Sequence, residues 1–253
     1  MDDKNTKHTL STILLACLSL LAGLLVWEAV VRITGLPAFI LPSPHLVWIR
    51  LGEVLDNGTL WRHTWVTTRE VVLGLGLGAG LAVLMGYVVA KSHMVERLLS
   101  PYLVASQAIP VVALAPLLVL WFGTGVFSKV LVCALTVFFP VLVNTIVGVR
   151  AVPVELHDLM RSLRASRLQV IRYLELPAAL PILLGGFRIG ATLAVIGAVV
   201  GEFVGADKGL GFLVNVARGQ YDTALVFVAI ATLIVLALCL YGLVILIEKQ
   251  FLK

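Results

Sequence analysis

The chain has 253 residues, of which 60% are hydrophobic and 13% charged, with a formal net charge of +5 and a mean hydropathy of +1.05. Soluble domains carry about a quarter charged residues, so this composition excludes an ordinary soluble domain and points to a membrane protein. The apolar runs are continuous instead of alternating, which argues against a membrane β-barrel and for spanning helices of about 20 residues each.

Six spans are predicted, over residues 10–31, 67–90, 101–122, 126–148, 182–204 and 224–247. The first apolar run exceeds a usual signal-peptide core, and no small-x-small cleavage site ends it. It is read as a retained helix, with cleavage as the alternative. With the N-terminus in the cytoplasm, twelve Lys and Arg fall inside and seven outside, which by the positive-inside rule predicts both termini in the cytoplasm. That placement also accounts for the basic balance, and no basic patch with interleaved aromatics suggests nucleic acid.

After the first span, Leu41-Pro42-Ser43-Pro44 marks a turn and a helix start, since proline is favoured in a first turn. A short interfacial helix is expected there, with Trp48, Trp61 and Trp65 near the headgroup level. Residues 74–80 read GLGLGAG inside the second span. No strand precedes them, so a dinucleotide fingerprint is the poorer reading. Gly74/Gly78 and Gly76/Gly80 instead form small-x-x-x-small pairs for close helix approach, as do Gly186/Gly190 and Gly197/Gly201 in the fifth span.

The third span carries Gln107, Pro110 and Pro116. Proline there frees carbonyls and bends the axis. A bent helix at membrane depth can line a pathway or only aid packing, and both readings stand. Asn144 in the fourth span is read as a helix–helix hydrogen bond. Glu202 ends the fifth span, where an ionisable group usually faces a bundle interior or water. It is a pathway or gate candidate, or else a structural acid paired with Arg188, Lys129 or Lys208. Cys17, Cys133 and Cys239 lie in three spans and read as buried packing residues with no disulfide framework. The histidines show no metal spacing.

The longest polar stretch, residues 155–181, reads ELHDLMRSLRASRLQVIRYLELPAALP. Pro153 suits a first helical turn, and Leu156, Leu159, Met160 and Leu163 then fall at i, i+3, i+4 and i+7, one apolar stripe of a short helix. Ser166 and Gln169 fit a capping box that starts a second helix, which Pro177 and Pro181 should end before the next span. Such an amphipathic pair can dock in a groove on a partner or lie on the cytoplasmic leaflet with its arginines near acidic lipid.

The spacing favours docking. Asp158-Leu159-Met160, three residues, Arg164, nine residues, then Leu174-Glu175-Leu176-Pro177 resembles the EAA loop of bacterial ABC importer permeases, whose pattern is E-A-A, three residues, G, nine residues, I-x-L-P. LPSPHLVWIRL near residue 41, QAIPVVALAPLLVLWFGTGVFSKV at 107–130 and GEFVGADKGLGFLV at 201–214 also resemble segments of one such family, the nitrate/sulfonate/taurine type. The likeness covers roughly residues 35–250.

The resemblance implies an all-α, polytopic fold of the type I importer permease kind. It implies one permease domain over residues 1–253, with a cytoplasmic coupling loop at 153–176. In it, Leu156, Asp158, Leu159, Met160, Leu163, Arg164, Ala165 and Ser166 would meet the ATPase. The implied partners are two copies of an ABC ATPase, a second copy of this permease and an extracytoplasmic solute-binding protein. The location would be a bacterial inner membrane. The implied function is import of a small solute by alternating access: a sulfonate, taurine or nitrate, or a vitamin precursor such as a thiamine pyrimidine or flavin. The chain would be no enzyme and hold no cofactor, with ATP and Mg on the partner. It shows no G-x-x-x-x-G-K-[ST] pattern.

Three departures from the motif stand out. Asp158 replaces Glu, Leu159 and Met160 replace two alanines, and Arg164 stands where the motif has Gly. If the turn there is left-handed, Arg costs on the order of 1 kcal/mol; otherwise the turn has another shape. A stand-alone secondary transporter or channel is the main alternative, against which there is no clear internal repeat. A non-transporting scaffold is the third reading.

Overall fold

The computed structural model describes the backbone of residues 2–251 and the side chains of residues 14, 15 and 18–250. The elements in order are α1 (Asp2–Thr34), α2 (Pro44–Asp56), α3 (Thr59–Lys91), α4 (His93–Gln107), α5 (Val111–Phe122), α6 (Val126–Arg150), α7 (Val154–Ser162), α8 (Arg167–Val170), a π-turn (Ile171–Glu175), α9 (Leu176–Gly205), α10 (Leu210–Gly219) and α11 (Thr223–Phe251). The described residues contain no strand.

Four helices are long and apolar enough to cross a bilayer among the described residues: Thr59–Lys91, Val126–Arg150, the continuous Arg167–Gly205 and Thr223–Gln250. The bent pair α4–α5 passes the same test only when its two helices are taken together, as one broken span or a re-entrant loop. The predicted first span falls in α1, many of whose N-terminal side chains, Cys17 included, lie outside the described set. Wide apolar exposure, such as Leu120 at 76% and Leu84 at 68%, is what lipid-facing helices show. Buried polar residues and small residues instead face inward.

The centre of the bundle is α6, packed between α3 and α9. Glycine makes both seams possible. A Cβ at Gly78 would lie 2.8 Å from the Ala134 Cα, and one at Gly197 would lie 2.9 Å from the Cys133 Cα. The predicted pairs Gly74/Gly78, Gly186/Gly190 and Gly197/Gly201 therefore work within one chain, whereas Gly76 and Gly80 face open space. Val71, Ala79, Val137, Val141, Ala194 and Ala198 fill the core between the seams. Asn144 differs from its expected cross-helix role. Its Nδ2 donates to the Pro140 carbonyl of its own helix at 2.8 Å, because α9 presses Gly186 against its side chain. Cys133 is buried as expected, but Cys239 is exposed.

A second core joins α2, α10 and α11 through Val54, Leu210, Leu213 and Val228. As predicted, α2 starts at Pro44, and the Ser43 hydroxyl accepts from the Leu46 N–H. Helix α3 begins eight residues before the predicted span, so Trp61 and Trp65 sit on its first turns instead of on the interfacial helix. They are 72% and 59% exposed. Trp48 stays on α2, 74% exposed.

Candidate functional site

The polar loop folds as a helix–turn–helix. Helix α7 starts after Pro153, and Leu156, Leu159 and Leu163 are 40%, 53% and 68% exposed. An apolar row left uncovered is costly for a soluble surface, and this row is uncovered in the single chain. Asp158 sits beside this row, with Arg161 at 3.2 Å. Arg164 occupies the turn at φ +53, one of two non-glycine positive φ values among the described residues. The left-handed turn is thus kept with an unfavoured residue in it. The predicted capping box forms: the Ser166 N–H donates to Gln169 Oε1 at 2.7 Å, and the Gln169 N–H donates to Ser166 Oγ at 3.3 Å.

Pro177 and Pro181 do not end the second helix, contrary to expectation. The chain runs as one helical stretch from Arg167 to Gly205, with Pro177 in the first turn of α9 and Pro181 inside it. The π-turn is the reason. Proline 177 cannot donate back to the preceding turn. Widening that turn lets the Leu176 N–H reach the Ile171 carbonyl instead.

The π-turn also presents Glu175, whose role the sequence reading missed. Glu175 is 3% exposed. It accepts from the Tyr87 hydroxyl at 2.9 Å and pairs with Lys91, both on α3, and its Oε1 lies 3.1 Å from His157 Nε2 on α7. One carboxylate therefore clasps α7 to two spans. The clue available in sequence was a lone acid in the apolar Leu174–Pro177 segment.

The third span is broken. Helices α4 and α5 meet at 94°, because Pro110 takes an extended conformation, φ −65 and ψ 122, at the start of α5. Gln107 and Pro110 flank the break and Pro116 lies inside α5; all three are exposed in the single chain.

Glu202 is not with them. It is 1% exposed and faces α3 and α10. The Thr67 hydroxyl donates to its Oε1 at 2.6 Å and the Gly211 N–H to its Oε2 at 2.5 Å. Gly209, at φ +117, has no room for a Cβ, which would lie 2.7 Å from Glu202 Oε2. None of the three cations considered in sequence pairs with Glu202 among the described residues. Arg188 meets Glu248 at 3.3 Å, Lys129 donates to the Thr124 and Gly205 carbonyls, and Lys208 lies 4.0 Å from Asp207. Glu70, 2% exposed, lies beside Glu202 with one oxygen unpartnered. His63, Thr67 and Glu70 share one face of an apolar helix, a pattern that could have revealed the cluster.

At the same end, Arg50 of α2 binds Asp222 at 2.8 Å and Glu53 at 2.5 Å. The Glu53 hydrogen bond chiefly, with help from Asp222 against burial, raises the guanidinium pKa above its ordinary value. No group of three or more His, Cys, Asp or Glu suited to a metal occurs among the described residues.

A bundle of spanning helices around α6, with an amphipathic helix–turn–helix clasped to it, defines a polytopic all-α membrane protein. The comparisons agree. Residues 78–253 match the family described as "Binding-protein-dependent transport system inner membrane component", and the chain belongs to that family. It is 49% identical over 235 residues to the riboflavin transport system permease protein RibX of Chloroflexus aurantiacus, covering 93% of this chain and 88% of that one. It is 39% identical over 215 residues to the formylaminopyrimidine transport permease protein ThiX of Halalkalibacterium halodurans, covering 85% of each. The fold resembles a chain of the MetNI methionine ABC transporter in an inward-facing form, with a TM-score of 0.68 and 18% identity, over 78% of this chain and 98% of that one. The protein is a permease subunit of an ABC importer and no enzyme itself; hydrolysis belongs to another subunit.

Proposed function

We propose that the solute is a vitamin or vitamin-precursor heterocycle of the flavin or formylaminopyrimidine kind. The 49% identity to a riboflavin permease over nearly the whole chain supports this reading. The sulfonate, taurine and nitrate class is the competing one. Screening the cognate extracytoplasmic binding protein against riboflavin, formylaminopyrimidine, taurine and nitrate tests it. Tight binding of taurine or nitrate with none of either heterocycle would overturn it.

The working unit would be two copies of this chain about a two-fold axis, with one ATPase on each coupling loop and the binding protein outside. The exposed row Leu156, Leu159 and Leu163, together with Met160, Asp158 and the Arg164–Ala165–Ser166 turn, would seat in the ATPase. ATP and Mg would lie there. Both termini would be cytoplasmic. ATP-driven closure would bias two states of alternating access. The broken span, through Gln107, Pro110 and Pro116, would border the solute path. Glu202 would hold α3, α9 and α10 beside it in place of lining it. Weighing the purified complex decides the assembly: one copy of this chain with a different membrane subunit would refute the homodimer.

A further inference from the structure

Two cavities meet where α7 joins the spans. The larger, about 600 Å³, is walled by Lys91, Arg161 and Arg167 with Tyr87, His157 and Glu175. The other, about 320 Å³, lies between α3, α6 and α9 against Leu84, Val88, Val149, Leu176 and Leu183. They share Tyr87, Ile171 and Glu175, so they adjoin across these side chains as a basic half and an apolar half.

The charges in the basic half do not cancel. Three cations face one carboxylate, and Glu175 is already divided among Lys91, Tyr87 and His157. Arg161 has Asp158 beside it. Arg167 is exposed and has no carboxylate within ion-pair distance among the described residues. The apolar half opens sideways, because Leu84, Val88 and Leu176 are 68%, 54% and 51% exposed. A soluble anion would use only the first half. An uncharged lipid tail, or an apolar helix of a second copy, would use only the second. Filling both takes one molecule with an anionic head and a hydrocarbon tail. Tyr87, a ring with a polar tip, stands where such a molecule changes character.

We propose that this adjoining pair of cavities binds an anionic phospholipid of the cytoplasmic leaflet. Arg167 and Lys91 hold the phosphate, and an acyl chain lies between α3 and α9. The placement rests on the orientation given above, which puts the end of α3 and the docking helix at the cytoplasmic surface. There, basic side chains attract anionic lipid. The occupant touches the π-turn and the wall of α7 at once, so the lipid's charge bears on the joint between docking helix and span.

The test uses the assembled permease–ATPase complex in detergent, titrated with phosphatidylglycerol, phosphatidylcholine or inorganic phosphate and weighed by native mass spectrometry. The wild-type complex should retain phosphatidylglycerol in preference to phosphatidylcholine. Arg167→Gln should weaken phosphatidylglycerol retention about fivefold, roughly what one basic side chain at an anionic surface contributes, and leave phosphatidylcholine unchanged. Leu84→Trp, on the lipid-facing wall, should weaken both lipids. Excess phosphate should not displace the lipid. Equal phosphatidylglycerol retention by wild type and Arg167→Gln would overturn the proposal, as would displacement by phosphate alone or absence of bound lipid. The same spectra report the ATPase. A wild-type complex that binds lipid without any ATPase would sink the docking reading alone. An Arg167→Gln complex that keeps its ATPase and retains lipid like wild type would sink the lipid site alone.

Discussion

The seam between α3 and α6 makes a quantitative prediction at Gly78. A Cβ there would meet the Ala134 backbone, with its Cα at 2.8 Å. Backbone cannot rotate aside as a side chain can, so the two helices must separate. Overpacking of this kind costs about 1–3 kcal/mol. Alanine also gains about 1 kcal/mol of helix propensity over glycine, which hides part of the cost. Gly76→Ala supplies the reference, since it gains the same propensity two residues away and meets nothing within 4 Å. The difference between the variants isolates the seam. At about 2–4 °C per kcal/mol for a chain of this size, Gly78→Ala should melt roughly 2–12 °C below Gly76→Ala. The assay is thermal unfolding of each purified variant in one detergent, followed by a thiol dye at buried Cys133 in a chain whose other two cysteines are replaced by serine. Equal midpoints, or a higher one for Gly78→Ala, would show that α3 and α6 do not approach as described.

Glu175→Ala should destabilise the joint by about 2 kcal/mol, since hydrogen bonds to a charged group are lost. Limited proteolysis should then cut the 153–166 segment faster, and unchanged cleavage would remove the clasp. Asp158→Lys should leave the permease folded and abolish ATP-driven uptake or ATPase assembly, because the side chain is exposed on the proposed docking face; normal assembly together with normal uptake would count against that face. Single cysteines at Asn57 and Ala165, in a chain otherwise free of cysteine, should react with an impermeant reagent from opposite sides of the membrane. Reaction from the same side would contradict the proposed topology.

The residues that were legible in sequence are those whose partners lie close along the chain. The Ser43–Pro44 start of α2, the Ser166/Gln169 capping box and the apolar row of α7 each depend on neighbours within seven positions. Their chemistry can therefore be read locally. The break at Pro110 was visible as a bend, since proline constrains its own φ and the residue before it. Its 94° size was not, because the angle depends on how α5 packs on α6 and α9. Glu202 was noticed but given the wrong kind of partner. Charge alone suggests a cation, whereas the fold supplies the Thr67 hydroxyl and the Gly211 N–H from elements 135 and 9 residues away. Glu175 was missed for the same reason, with Tyr87 and Lys91 more than 80 residues distant. The error at Pro177 was local. A proline was read as a stop, but a π-turn absorbs its missing donor.

On the proposed docking at α7, that continuity changes how a push would reach the spans. Had the helix ended at Pro177, a loop would stand between the docking segment and the fifth predicted span, and a push on α7 could dissipate in it. Instead, Arg167–Gly205 is one stretch of 39 residues, about 58 Å at 1.5 Å per residue. Its two ends are fastened differently. Near the docking end, Glu175 fixes it to α3 and α7. At the far end, Glu202 fixes it to Thr67 of α3 and to the start of α10. Between them, glycines seat it on α6 with no Cβ to act as a stop against tilting. A rod held at both ends to the same neighbour, α3, cannot tilt against it without breaking one fastening. A movement imposed at α7 would therefore carry α3 and α9 together, and an interruption of the bundle would be the place to take it up. The interruption the fold offers is the 94° elbow between α4 and α5, which borders the proposed solute path.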